Sequence, residues 1–302
     1  MKKDLLTLLD LSSDQVKKLL ERAAVLKKER KKGKVAKTLS GKTLAMVFEK
    51  PSTRTRASFD IAMYELGGHS IYLESGSSQL GRGETYFDTG RVLSRYAHGI
   101  VVRTFSQSNL EEFSRGSSMP VINGLSDLYH PCQLLTDLLT MQENKKDLSD
   151  CVVSYVGDGN NVANSWITAA ILLGFTLKIA TPKGYEPEAC ILKKIDLKST
   201  DNIVITSEPS EAVRDADVVN TDTWFSMGQE VSEEKKKAFA PFQVNGELLR
   251  KAKKDAIVLH CLPAHRGEEI TNDVMDGPQS RVWDQAENRL HVQKAILEMY
   301  LK

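Results

Sequence analysis

The chain has 302 residues and sets 41 lysines and arginines against 40 aspartates and glutamates, so its net charge of +1 excludes the sustained basic field that nucleic-acid binding needs. The length suits about two domains, and the longest apolar stretch, Ile167 to Phe175, is less than half of the roughly 20 residues that a membrane span requires. Four widely spaced cysteines (Cys132, Cys151, Cys190, Cys261) form no C-x-x-C pair, which argues against a zinc site or a disulfide framework and fits a reducing cytoplasm.

Near the N-terminus, Ser12-Ser13-Asp14-Gln15 is a capping-box pattern, and Val16, Leu19, Leu20 and Ala23 then recur at helical spacing until Gly33. The basic run Lys27 to Lys32 at that helix's end reads as solvated partners of the helix dipole. Thr43 to Phe48 is a strand-like run that leads into Glu49-Lys50-Pro51-Ser52-Thr53-Arg54-Thr55-Arg56 and then a helical segment. A strand, a loop of hydroxyl and guanidinium side chains and a helix N-terminus make a phosphate site, because free N–H groups and the positive dipole end point at the same spot. The same octapeptide also suits an ordinary N-capped helix with two solvated arginines.

Phe59, Met63 and Leu66 continue that helix until Gly67-Gly68, and Ser70 to Leu73 completes a β-α-β unit. The polar, glycine-rich loop Glu74 to Glu84, with Gln79 and Arg82, is expected to be exposed. Strands follow at Gly99 to Arg103 and Pro120 to Asn123, and Arg103 falls at the carboxyl edge where open parallel sheets bind ligands. His130-Pro131-Cys132-Gln133 starts an amphipathic helix, and the charged stretch Glu143 to Asp150 reads as a linker.

A second α/β series begins at the strand Cys151 to Val156. Gly157-Asp158-Gly159-Asn160-Asn161 and a helix over Val162 to Leu173 then imitate a dinucleotide fingerprint, but Val162 occupies the third glycine position and the next strand, Leu177 to Ala180, ends in Thr181-Pro182-Lys183 rather than an acidic residue. Ile203 to Ile205, a short helix near Glu211 to Arg214, Val218 to Thr221 and Ala256 to His260 continue the alternation. Asp222 and Cys261-Leu262-Pro263 are thereby delivered to strand ends. Between them lies the long connection Thr223 to Gln243, of a length that usually has a function. A helix over Gln285 to Leu301 carries Arg289 and ends the chain.

With these motifs assembled, the whole chain resembles the aspartate/ornithine carbamoyltransferase superfamily. Ser52-Thr53-Arg54-Thr55-Arg56, His130-Pro131-Cys132-Gln133, Asp222 with Ser226-Met227-Gly228, and His260-Cys261-Leu262-Pro263 look like the family's substrate motifs, in order. Gln79, Arg103, Asn161 and Arg289 also match family binding positions, and Cys132 stands where many relatives have threonine.

The resemblance implies two α/β domains with mostly parallel sheets flanked by helices, residues 1–143 for carbamoyl phosphate and 144–284 for ornithine, with residues 285–302 packing back on the first. It implies transfer of a carbamoyl group without metal or cofactor, on cytoplasmic trimers or multiples of trimers in which the Gln79 loop reaches a neighbouring site. Its expected partners are the two substrates, with neither nucleic acid nor membrane. Ser52, Thr53, Arg54, Thr55 and Arg103, with Gln79, would hold phosphate. Arg103 and His130, joined by Thr55, would donate to the carbonyl oxygen, while Gln133, the Leu262 carbonyl and Arg289 orient the carbamoyl group. Asn161, Asp222, Ser226 and the Met227 backbone would hold the amino acid, and Cys261 and Asp222 would position the amine that attacks. Cys261 counts among the carbamoyl-phosphate contacts as well.

Each residue taken alone has a plainer reading: His130 as a helix-cap histidine, Cys261 as a buried apolar cysteine, Trp224-Phe225 as core, Asp222 as a turn cap. The rival functions are a relative using aspartate, putrescine or N-acetylornithine, against which Ser226-Met227-Gly228 speaks, and a non-catalytic protein that senses carbamoyl phosphate.

Overall fold

A computed structural model describes residues 4–145, 147–198, 201–226 and 231–302, without the side chains of 195–198. The chain divides into two compact units, residues 1–139 with 288–302, and residues 140–287.

The first unit contains α1 (Ser13–Lys31), β1 (Thr43–Phe48), α2 (Thr53–Glu65), β2 (His69–Glu74), α3 (Tyr86–Leu93), β3 (Gly99–Arg103), α4 (Gln107–Gly116), β4 (Val121–Leu125) and most of α5 (Pro131–Asn144). The second holds β5 (Val152–Val156), α6 (Asn161–Leu173), β6 (Thr176–Ala180), α7 (Ala189–Lys198), β7 (Ile203–Thr206), α8 (Pro209–Val213), β8 (Val218–Thr221), α9 (Glu233–Phe239), α10 (Gly246–Leu249), β9 (Ile257–His260) and α11 (Asn272–Met275). The last helix, α12 (Val282–Leu301), begins in the second unit and ends in the first.

Both sheets are parallel in every described pairing, with strand orders β2-β1-β3-β4 and β7-β6-β5-β8-β9. Their central strands are buried along almost their whole length, as expected for parallel strands covered on both faces. The chain order reverses between β1 and β3 in one sheet and between β5 and β8 in the other. At such a point the loops that leave the strand ends turn to opposite sides and open a crevice, the common ligand position of open α/β sheets.

The ends of α1, α2 and α12 are stapled by charge. Arg22 pairs with Glu298 (Nε to Oε2, 2.5 Å), Lys294 and Arg30 both reach Glu65 (2.8 and 2.7 Å), and Lys27 donates to Asn288 Oδ1 (2.7 Å). Burial, the largest influence on the Glu298 carboxyl, pushes it up, yet bonds from Arg22 and Thr38 and the charges of Arg22 and Lys302 take it down to about 2. The basic run at the end of α1 is therefore not simply solvated: Lys27 is buried and Arg30 is bonded, and together they seat the helix that carries Arg289. The loop after β2, expected to be exposed, is so at Gln79 and Arg82, but it is ordered into two 3-10 turns, Ser75–Ser77 and Leu80–Arg82.

Candidate active site in two half-sites

At the β1/β3 switch point, Ser52 caps α2 and its Oγ accepts from the Thr55 N–H (3.3 Å). The cap turns Thr55 inward, where it is buried, and leaves Thr53 and Arg54 exposed on the first turn. Arg289 of α12 donates from Nη2 to Thr55 Oγ1 (2.8 Å) and from Nη1 to Gln133 Oε1. With its oxygen engaged as an acceptor, Thr55 keeps its own O–H to donate. Gln133 lies in the first turn of α5 and His130 just before it, while Arg103 ends β3; all three are buried. Burial above all, then the charges of Arg289 and Arg103, holds the His130 imidazole well below its usual range, so it is neutral and offers a ring N–H at physiological pH.

Within the first unit the structure thus joins Thr55, Gln133 and Arg289 by hydrogen bonds and sets His130 in the field of Arg103 and Arg289. Arg56 points elsewhere, its guanidinium 3.8 Å from the centre of the Tyr72 ring. Gln79 sits on its exposed loop, and among the described residues its side chain makes none of the hydrogen bonds that link the others. Cys132 donates its S–H to the Asn123 carbonyl (3.3 Å), and burial pushes the thiol up to about 12, so it serves as a small hydrogen-bonding residue and not as a nucleophile.

At the β5/β8 switch point, Asn160 caps α6, its Oδ1 accepting from the N–H groups of Val162 (2.9 Å) and Ala163 (3.3 Å). That arrangement turns the amide Nδ2 outward, where it donates to Asp222 Oδ2 (2.9 Å). The other Asp222 oxygen accepts from the Thr223 N–H (2.8 Å) and from the Cys261 thiol (3.0 Å). Asp222 and Cys261, expected together, are together. Asn161 is the first residue of α6 and Ser226 lies four residues past Asp222, while Met227 falls outside the described residues.

The glycines of the apparent dinucleotide fingerprint have a structural explanation. A Cβ on Gly159 would lie 2.3 Å from the Glu186 backbone, so this glycine admits a neighbouring loop rather than a pyrophosphate.

Leu262 has a φ of 60°, a region that residues other than glycine rarely adopt. Its N–H donates to His260 Nδ1 (2.9 Å), while His260 Nε2 is paired with the buried Glu269 (2.9 Å). Donor atoms of Asp222, His260 and Cys261 lie within 4.8 Å of one another. Both imidazole nitrogens are already engaged, however, so the group reads as a hydrogen-bonded frame around Leu262 and not as a metal cage.

Three participants were not picked out from the sequence. Asn160 holds Asp222, and only its position at a helix start could have signalled it. Asp137 bonds Gln133 at a readable i,i+4 spacing. Lys235 of α9 pairs with the buried Asp158 (2.9 Å) and lies 5.3 Å from the Tyr185, Phe225 and Phe239 rings, a contact that no local pattern announces.

Residues 3–143 match the family model for the aspartate/ornithine carbamoyltransferase carbamoyl-P binding domain, and residues 149–300 the model for the Asp/Orn binding domain. The chain belongs to the aspartate/ornithine carbamoyltransferase family. It is 53% identical to an ornithine carbamoyltransferase of Syntrophus aciditrophicus over the full length of both chains, and 54% identical to one of Archaeoglobus fulgidus over 98% of this chain and 96% of that one. The solved structure of ornithine carbamoyltransferase from Pyrococcus furiosus superposes with a TM-score of 0.94 at 50% identity, covering 99% of this chain and 97% of the other. The boundary between the two matches falls near that between the two compact units, except that residues 288–300 of α12 belong to the second match and to the first unit.

Proposed function

We propose that the protein transfers the carbamoyl group of carbamoyl phosphate to the side-chain amine of L-ornithine, giving L-citrulline and phosphate. The observation that carries this reading is the pair of opposite half-sites: hydrogen-bond donors and cations gathered from α2, β3, α5 and α12 at one switch point, and a carboxylate fixed by Asn160 and Cys261 at the other. Full-length similarity to ornithine carbamoyltransferases supports ornithine as the amine.

Ser52, Thr53, Arg54, Thr55 and Arg103 take the phosphate, with the N–H groups of the first turn of α2. Neutral His130, Arg103 and the Thr55 hydroxyl donate to the carbonyl oxygen, whose charge grows as the nitrogen adds, an interaction that can supply several kcal/mol. Gln133, the Leu262 carbonyl and Arg289 orient the carbamoyl group, and Cys261 sits beside it. Asn161, Asp222, Ser226 and Met227 hold the amino acid. Asp222 and Cys261 align the amine, which must be neutral because an ammonium has no lone pair. The C–N bond forms, the C–O bond to phosphate breaks, and the nitrogen sheds a proton. Bringing the two substrates together is the larger contribution, up to about 7–11 kcal/mol.

The working form is a cytoplasmic homotrimer or a multiple of it, in which Gln79 completes a neighbour's phosphate site. Its support is the exposed loop that carries Gln79, a side chain matching a family binding position. Reassembling mixed trimers from inactive Gln79→Ala and Arg103→Ala parents should restore activity at a fraction of positions; a mixture no better than its parents rules the shared site out.

The reading as a whole is tested by assaying citrulline and phosphate from carbamoyl phosphate with ornithine, aspartate, putrescine or N-acetylornithine. Equimolar products with ornithine alone are expected. Preference for another amine, or binding of carbamoyl phosphate without turnover, overturns it.

A further inference from the structure

Asp137 is a fully buried carboxylate that takes no part in the chemistry above. It lies on α5 one turn after Gln133, and Gln133 Nε2 donates to its Oδ1 (2.7 Å). The opposite end of the same amide, Oε1, accepts from Arg289 Nη1, and Arg289 Nη2 goes on to Thr55 Oγ1 (2.8 Å). A carboxylate only accepts hydrogen bonds, so it selects the NH2 end of the glutamine and leaves the carbonyl end for the guanidinium. An amide is nearly symmetric in shape. Turned over, it would present NH2 to Arg289, donor against donor, and the bond that ties this guanidinium to α5 would be lost.

We infer that Asp137 is a positioning residue of the carbamoyl-phosphate half-site: it fixes the orientation of the Gln133 amide and, through it, the guanidinium of Arg289. The inference rests on the proposed carbamoyl transfer, and its claim is the polarity of one chain of bonds, Asp137 to Gln133 to Arg289 to Thr55. Each link joins a different pair of positions, i to i+4 within α5, then α5 to α12, then α12 to α2. Because the chain is buried at Asp137, Gln133, Arg289 and Thr55 alike, water is poorly placed to substitute for a missing partner.

The test measures kcat and both KM values for Asp137→Leu and Asp137→Asn, each alone and in a Gln133→Met background, with thermal unfolding as the control for folding. Asp137→Leu, similar in size and unable to accept, should raise the carbamoyl-phosphate KM tenfold or more while the ornithine KM stays within twofold. Asp137→Asn, which can still present a carbonyl oxygen, should recover most of the loss. In the Gln133→Met background, where no amide remains to orient, Asp137→Leu should add less than a twofold effect. A carbamoyl-phosphate KM within twofold of wild type for Asp137→Leu overturns the inference. So does an undiminished loss in the Gln133→Met background, since Asp137 would then act by general packing. If Asp137→Leu does not fold, Asp137→Ser, too short to reach the amide, carries the same expectations. Absence of citrulline from the wild-type protein would instead count against the proposed reaction, so the two failures are told apart.

Discussion

At the first switch point Arg103, Arg289 and the neutral His130 gather near the ends of β1 and β3 with Thr55, braced by the acceptors Gln133 and Asp137, and Arg54 lies on the exposed first turn of α2. At the second, donors converge on an acceptor, with Asn160, the Thr223 N–H and Cys261 all donating to Asp222. Both sheets are parallel with a reversal of chain order at their centre, so the difference lies in the few residues that follow the strand ends and, in the first, in Arg289 of α12. In the proposed reaction the first crevice takes an anion that leaves with more charge than it brought to the bond. The second takes the amine, and there three donors hold a single carboxylate still. A fold that supplies only position can thus serve opposite halves of one reaction.

If that division is right, damage should stay in the half where it is made. The largest effect is expected from Asp222→Asn, which keeps the shape and removes the charge that aligns the amine: kcat should fall about 10²–10⁴-fold with the carbamoyl-phosphate KM little changed, as read by steady-state kinetics. Next in size is the pH profile. His130 is held neutral by burial and its two arginine neighbours, and the guanidiniums stay charged, so the first half-site should not titrate between pH 6 and 8. The amine, with an ordinary pKa near 10.4, gains neutral form about tenfold per pH unit. The rate at subsaturating ornithine should therefore rise across this range, and a flat profile with chemistry limiting would contradict selection of the neutral amine.

Arg54→Ala should weaken carbamoyl phosphate by about 1.5–3 kcal/mol, roughly 10- to 150-fold, through loss of a charge-assisted contact, while ornithine recognition survives. Unchanged affinity for carbamoyl phosphate or for free phosphate would contradict it. The smallest effect concerns the seat of α12. The Glu298 carboxyl sits at about 2 in the folded chain against an ordinary 4.5, so the folded state binds fewer protons between those values and its stability rises with pH there. The contribution is present above pH 4.5 and lost as pH falls from 4.5 toward 2. Glu298→Gln should lower the melting temperature at pH 7 and flatten the acid loss in that window; an unaltered acid transition would show that Arg22 and Thr38 do not hold the helix through this group.

Much of this organisation was legible in the sequence because parallel strands buried on both faces are continuous apolar runs, and β1, β3 and β8 fall where Thr43 to Phe48, Gly99 to Arg103 and Val218 to Thr221 predict them. Helices α3 and α4 have no counterpart among the elements the sequence predicts. Each is only 8 or 10 residues long, with Leu93 buried in one and Leu110 and Phe113 in the other, too few turns for a helical period to be read against the flanking loops. In the site, motifs identify residue types at strand ends but not the direction in which each side chain turns. Arg56 carries the same charge as Arg54 and lies two positions away, yet it stacks on Tyr72, because a helix rotates neighbouring residues onto different faces. Asn160 reaches Asp222 because capping α6 turns its amide Nδ2 outward, a direction that the letter alone does not carry. The pairing of Lys235 with Asp158 depends on where α9 lands, which no local pattern contains.

Calorimetric titration of Asp222→Asn tests the division of labour most directly. Carbamoyl phosphate should bind the variant within about twofold of its wild-type affinity, since roughly 0.4 kcal/mol is all that such a change represents, and ornithine added in the presence of phosphate should give no measurable heat. Loss of both ligands together would contradict two independently built half-sites.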